Sequence, residues 1–217
     1  MQRIICVYVH GTRIMRFVFA SNNAHKLAEV REIMPAHVEV LSLHDIGFQA
    51  EIEETGCTLE ENSRIKAEAV WDWIKVNGER LMVNGIDGVF ADDTGLEIDA
   101  LNGKPGVYTA RWSGAHGSEQ EIFAANRKKA LLEMDGKTNR GAQFRTVITL
   151  ITSEQEQQVA GVVRGVLSTE ERGGSGFGYD PIFMPAGYNK TFAELPIEIK
   201  NNISHRARAL AELVKIL

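Results

Sequence analysis

The spacing of apolar positions changes several times along the chain, and each change marks an element. Phe17-Val18-Phe19-Ala20 is a β-branched and aromatic run that ends at the polar stretch Ser21-Asn22-Asn23-Ala24-His25-Lys26. Leu27, Val30, Ile33 and Met34 then recur at helical spacing before Pro35, which predicts strand, loop and amphipathic helix in succession. Residues 38–42 predict another strand. Thr58-Leu59-Glu60-Glu61 has the form of a capping box and opens a helix that turns Ile65, Ala69, Val70 and Trp73 inward and runs toward Gly78. Ser118-Glu119-Gln120-Glu121 repeats the device ahead of Phe123, Ala130, Leu131 and Met134, with Gly136 as the stop. Residues 144–152 and 157–167 predict long strands around a polar turn. Ile203, Ala207, Leu210 and Val214 form the core stripe of a final helix that opens at Lys200-Asn201-Asn202. Strands interleaved with amphipathic helices predict a mixed α/β architecture.

Four polar clusters interrupt this pattern. In the first, residues 21–26 sit where a strand gives way to a helix, so free N–H groups and the positive end of the helix dipole face outward, with Lys26 adding a full charge. Such a loop suits a phosphate, although Ser-Asn-Asn before a helix is, taken alone, more often a cap. It lacks the glycines of a Walker loop. In the second, Ala91-Asp92-Asp93-Thr94-Gly95 follows Gly88-Val89-Phe90 and precedes an alternating run. Adjacent aspartates in a strand point to opposite faces, and a carboxylate, a hydroxyl and a glycine at a strand end suit Mg²⁺. A plain Asp turn between two strands is the alternative.

The third cluster is Ser175-Gly176-Phe177-Gly178-Tyr179-Asp180-Pro181. Glycines let the backbone approach a ligand, Phe177 offers a flat face and Asp180 an acceptor, which fits a planar ligand with polar edges such as a nucleobase. A tight loop with two core aromatics would look the same. In the fourth, His205 and Arg206 fall at the start of the last helix, where cations oppose the dipole. An anionic or carbonyl-bearing ligand would offset that cost, and a solvated basic turn remains the alternative.

Composition narrows the class. The chain has 217 residues, 44% hydrophobic and 24% charged, which is ordinary for a globular domain and argues against disorder. A net charge of -5 disfavours non-specific binding to nucleic acid and leaves any positive potential local to a small-ligand pocket. With only Cys6 and Cys57, neither a disulfide scaffold nor a cysteine metal site is expected. No apolar run approaches the ~18 to 20 residues of a membrane span, and the short run at residues 4–9 lacks the marks of a signal peptide. No membrane partner and a cytoplasmic location are the expectation. Residues 1–14 read as an N-terminal extension, either an extra edge strand or the result of an upstream start codon, since Met15 directly precedes the first strand of the pattern.

Six marks in order resemble the inosine triphosphate pyrophosphatases, the XTP/dITP or noncanonical purine nucleoside triphosphate pyrophosphatases. They are Ser-Asn-Asn-Ala-His-Lys at 21–26, Glu53-Glu54-Thr55-Gly56, Ala-Asp-Asp-Thr-Gly at 91–95, Gly103-Lys104-Pro105-Gly106-Val107-Tyr108, Phe-Gly-Tyr-Asp at 177–180 and Ser-His-Arg at 204–206. The resemblance spans residues 15–217, taken as one catalytic domain. It implies a long twisted mixed β-sheet in two lobes flanked by helices, a substrate cleft between the lobes, and a homodimer. It also implies Mg²⁺-dependent hydrolysis of ITP, dITP and XTP to the monophosphate and pyrophosphate, a cleansing of the nucleotide pool. Carried onto this chain, Asp93 would ligate Mg²⁺ and handle the attacking water, with Glu54 the further metal ligand and Asp92 in support. Ser21, Asn22, Asn23, Ala24, His25 and Lys26 would hold the triphosphate, with Lys200 from the other side. Thr94, Phe177, Gly178, Tyr179, Asp180, His205 and Arg206 would complete the substrate site, Phe177 stacking on the base and His205 or Arg206 donating to a 6-oxo group. Two other classes stay open at this stage: a nucleotide-binding regulator without hydrolysis, and a phosphatase forming an aspartyl-phosphate.

Overall fold

A computed structural model describes residues 8–9, 12–77 and 85–217. Strands are β1 (Tyr8–Val9), β2 (Thr12–Arg13), β3 (Met15–Phe19), β4 (Val38–Leu41), β5 (Gly88–Ile98), β6 (Pro105–Gly106), β7 (Gly141–Thr152), β8 (Glu156–Leu167) and β9 (Phe183–Pro185). Helices are α1 (Ala24–Ile33), α2 (Leu59–Asn77), α3 (Glu119–Glu133), α4 (Ile197–Ile203) and α5 (His205–Val214). One sheet has the order β4-β3-β5-β7-β8-β9, with β6 added to β5. It is mixed: β3 pairs parallel with β4 and β5, whereas β5 with β6 and β8 with β9 run antiparallel. β1 and β2 form a separate antiparallel pair, Tyr8 opposite Arg13. The edge strand read into residues 4–9 is therefore seen only at Tyr8–Val9, and the rest of that run, like Gly78, lies outside the described residues.

The chain folds as two compact units. The first takes Met1–Asp93, Val147–Ala160 and Ala209–Leu217; the second takes Thr94–Thr146 and Gly161–Arg208. In the first, Phe17, Phe19, Phe90, Ile148 and Leu210 share a core in which the Phe19 and Phe90 rings stack at 5.1 Å. A further cluster joins Val18, Val89 and Ala91 to Ala67 and Val70 of α2. In the second, Leu96, Ile98, Phe144, Leu167, Tyr179 and Phe183 form the core. Burying a side chain of this size stabilises by roughly 1.5–3 kcal/mol each.

Local signals set the helix starts. Asn23 caps α1, its side chain accepting the Lys26 N–H at 2.9 Å, and the extended Met34 before Pro35 ends it. Thr58 and Glu61 exchange the two bonds of a capping box at α2, as Ser118 and Glu121 do at α3.

Two expectations need correction. The face that α2 buries is Leu59, Asn62, Ser63, Lys66, Ala67, Val70 and Ile74, whereas Ile65, Ala69 and Trp73 are only half-buried. Periodicity of apolar residues misses a buried face that carries polar groups with fixed partners. The C-terminal segment is also two helices, because Ser204 is extended (φ −65°, ψ 160°) and its hydroxyl accepts the Ala207 N–H, capping α5. His205 and Arg206 thus open α5 as expected, but both are buried, at 5% and 2% exposure.

Candidate active site

Each unit holds one polar group built around a buried carboxylate. In the first unit, Asp92 and Asp93 lie within β5 rather than in a turn, at 1% and 7% exposure. Strand alternation turns them to opposite faces, and different helices supply their lysines. Lys26 of α1 donates to Asp92 at 2.9 Å. Lys66 of α2 donates to Glu54 at 2.9 Å and lies 3.6 Å from Asp93. The expected phosphate loop is therefore both cap and site wall: Asn23 caps α1, Ser21 accepts the Asn23 N–H, and Lys26 reaches Asp92. Asn22, Ala24 and His25 of this loop are exposed.

Electrostatics separate the members of this group. Burial, the largest influence on Asp93, together with the charges of Glu54 and Asp92, holds its pKa above the ordinary value despite Lys66 and Lys26. Burial alone would lower Lys66, but the charges of Asp93, Glu54 and Asp92 outweigh it and raise the pKa. At neutral pH the group carries a firmly protonated ammonium beside a carboxylate whose affinity for a proton is raised. Lys66 was not singled out by sequence reasoning. Its signal was available: a lysine one turn after Asn62 on a helix opened by a capping box. Asn62 itself is fully buried and accepts the Gly56 N–H at 2.8 Å, tying the Glu54 segment to α2. A side chain at Gly56 would meet Asn62 Oδ1 at 2.6 Å, so only glycine permits this approach.

The donor set suits a hard divalent cation. Glu54 and Asp93 share Lys66 as a neighbour, both offer oxygen, and Mg²⁺ takes one or two carboxylates with water and substrate phosphate making up the rest. Among the described residues no group of three or more His, Cys, Asp or Glu side chains converges on a cation position.

The second group surrounds Phe177. The Asp180 carboxylate accepts the Phe177 N–H at 2.8 Å and the Lys200 ammonium at 2.8 Å, and that ammonium lies 4.8 Å from the Phe177 ring centroid. Lys200, expected at the triphosphate, is paired here with Asp180 beside the Phe177 ring. Arg206 places its guanidinium 5.9 Å from the same ring and its Nη2 3.5 Å from the Thr94 hydroxyl, which also bonds Thr146. His205 stacks on Phe144 at 4.6 Å. Tyr179 serves the core: its hydroxyl donates to the Thr109 carbonyl, and burial raises its pKa. Gly178 has φ 60°, and its carbonyl accepts from Arg127 at 3.0 Å. Arg127 also escaped sequence reasoning, because nothing in α3 alone shows that it reaches residue 178.

A cavity of about 480 Å³ opens elsewhere in the second unit, lined by Lys104, Pro105, Tyr108 and Trp112 among others. None of the carboxylates or cations above lines it.

A mixed sheet carrying paired aspartates within β5, with lysines drawn onto them from two helices, defines an α/β protein with a buried lysine–carboxylate site. The chain belongs to the Ham1 family, whose pattern matches residues 17–216. It is 44% identical over 203 residues to the dITP/XTP pyrophosphatase of Flavobacterium johnsoniae, covering 94% of this chain and 98% of that one. It is 46% identical over 204 residues to the dITP/XTP pyrophosphatase of Bacillus subtilis, covering 92% and 96%. Among solved structures, the Staphylococcus aureus Ham1 protein matches with a TM-score of 0.78 at 36% identity, covering 93% of this chain and 97% of that chain. A HAM1 protein from Coxiella burnetii matches with a TM-score of 0.79 at 34% identity, covering 93% and 98%.

Proposed function

We propose that the protein hydrolyses noncanonical purine nucleoside triphosphates, dITP, ITP and XTP, to the monophosphate and pyrophosphate. The observation that carries this is the buried Asp93 of β5, its proton affinity raised and Lys66 shared between it and Glu54. Family membership and the named activity of its relatives agree with it.

In this reading Asp93 accepts the proton of the attacking water as its oxygen forms a bond to the α-phosphorus, and the bond from that phosphorus to pyrophosphate breaks. Raised proton affinity makes a buried carboxylate a better base at neutral pH. Lys66 and Lys26 neutralise phosphate charge, and residues 21–25 bound the same wall, which is positioning and electrostatics with no covalent intermediate. Mg²⁺ held by Glu54 and Asp93 would supply further neutralisation and an easier-to-ionise water. Phe177 stacks on the base while buried donors of His205 and Arg206 meet a 6-oxo group. Adenine offers an amino group there, leaving a buried donor without an acceptor. Lys200, through Asp180, holds the stacking ring rather than the phosphates. A homodimer in the cytoplasm, as the resemblance implies, completes the proposal.

Product analysis on ITP, dITP, XTP, ATP and GTP with Mg²⁺ tests this. Expected are monophosphate and pyrophosphate, with ITP, dITP and XTP cleaved far faster than ATP or GTP. Binding without turnover would favour a regulator, and inorganic phosphate with a covalent intermediate would favour an aspartyl phosphatase. Equal rates for ATP and ITP would overturn the base selection.

A further inference from the structure

We infer that Arg127, with Phe123 one helical turn before it on α3, is a positioning residue that fixes the Phe177 ring for base stacking. The inference rests on the base selection proposed above. Arg127 is buried far more than arginine usually is, with 16% of its side chain exposed. Its Nη1 donates to the Gly178 carbonyl at 3.0 Å, and its Nε lies 2.9 Å from a Glu171 carboxylate oxygen. Phe123, four residues earlier and so on the same helix face, places its ring 6.2 Å from that of Phe177 at a 40° tilt.

These contacts flank a single residue. On its N-terminal side the Phe177 N–H is held by Asp180, and on its C-terminal side the next carbonyl is held by Arg127. The loop between needs such anchors. Gly176 and Gly178 have φ of 80° and 60°, and a side chain at Gly176 would collide with Asp180 Oδ2. Glycine fits these positions but leaves the unanchored loop many conformations. Asp180 holds Phe177 itself, its carboxylate accepting the Phe177 N–H and its N–H donating to the Phe177 carbonyl at 3.2 Å, and Arg127 fixes the peptide that follows. Glu171 attracts the guanidinium by charge, its carboxylate lying close to Nε without hydrogen-bond geometry. A ring held ready before the base arrives avoids an ordering cost on binding, so α3 contributes to affinity for the base without touching the phosphates.

The test measures kcat, KM for ITP, calorimetric Kd for IMP and Tm in wild type, Arg127→Ala, Arg127→Lys and Glu171→Gln. Removing a charge-assisted bond to a carbonyl raises KM and Kd by about tenfold or more, and because the interaction is made equally in ground and transition states, kcat stays near wild type. Arg127→Lys, which keeps one donor but cannot serve both partners, falls between, and Glu171→Gln shifts the same way by less. Unchanged KM and Kd in Arg127→Ala overturn the inference, as does a fall in kcat at constant KM. If Arg127→Ala does not fold, a wild-type Kd in folded Arg127→Lys and Glu171→Gln overturns it. Failure of wild type to cleave ITP would instead sink the proposed function, and is read before any variant.

Discussion

The Lys200–Asp180 pair of the second unit and the Lys66–Asp93 pair of the first differ in distance and in hydrogen bonding. Lys200 and Asp180 meet at 2.8 Å with 5% and 6% of their side chains exposed, and the Phe177 N–H lies on the same carboxylate oxygen. Lys66 and Asp93 lie 3.6 Å apart at 10% each, and that lysine is closer to Glu54. The first pair is closed and holds a loop. The second leaves burial as the dominant influence on Asp93, so its carboxylate retains a raised affinity for a proton. In the first pair the lysine serves one carboxylate, and in the second it is shared between two.

The strongest break of this comparison is Asp93→Asn. Loss of a general base costs ~10² to 10⁴ in rate, and weaker Mg²⁺ binding adds to it. Stability should move the other way. Because burial raises the folded pKa of Asp93, its contribution favours the fold below the unfolded pKa and is lost as pH rises through the folded value. At neutral pH the wild type bears that cost and asparagine does not. Tm equal to or above wild type, with turnover gone across a Mg²⁺ titration, is the expected result; near wild-type kcat at saturating Mg²⁺ would refute the role of Asp93. Asp92→Asn is expected to be harmful but milder.

Lys66→Met sharpens the same group. Removing one preorganised cation at developing phosphate charge should lower kcat by about 10², a loss that steady-state kinetics at saturating Mg²⁺ would report. Retained kcat would confine Lys66 to a structural role.

Asp180→Asn should behave as the converse of Asp93→Asn. Stranding a buried lysine costs about 3–5 kcal/mol, and at ~2–4 °C per kcal/mol for a chain of this size the melting temperature should fall by about 10 °C. Calorimetry decides it: an unchanged Tm would mean that the Lys200 pair holds nothing in place.

The smallest effect is expected from deleting residues 1–14. Of their described contacts, the β1–β2 pairing is separate from the main sheet, and the Arg13–Asp87 ion pair has an arginine side chain 51% exposed. Such pairs contribute about 0–1 kcal/mol. Activity and Tm should therefore hold, and aggregation or a clear drop in Tm on thermal melting would show that the segment is structural.

Much of the molecule was legible from local pattern. The capping boxes at Thr58 and Ser118, the strand to loop to helix at residues 17–34 and the strand setting of Asp92 and Asp93 all depend on neighbours within a turn or two, where sequence spacing and spatial spacing coincide. The chain by itself also determined which carboxylates and aromatics could carry chemistry, since those residue types interrupt apolar runs. Tertiary structure decided which of them act together. Lys66 meets Asp93 only because α2 packs its polar face inward, and Lys200 meets Asp180 across 20 positions of chain. Arg127 reaches Gly178 across 51. Ser204 splitting α4 from α5 belongs with these, because the buried positions of His205 and Arg206 around it follow from packing. Charge pairs of this kind are set by the distance between elements, a quantity that no periodicity along the chain contains.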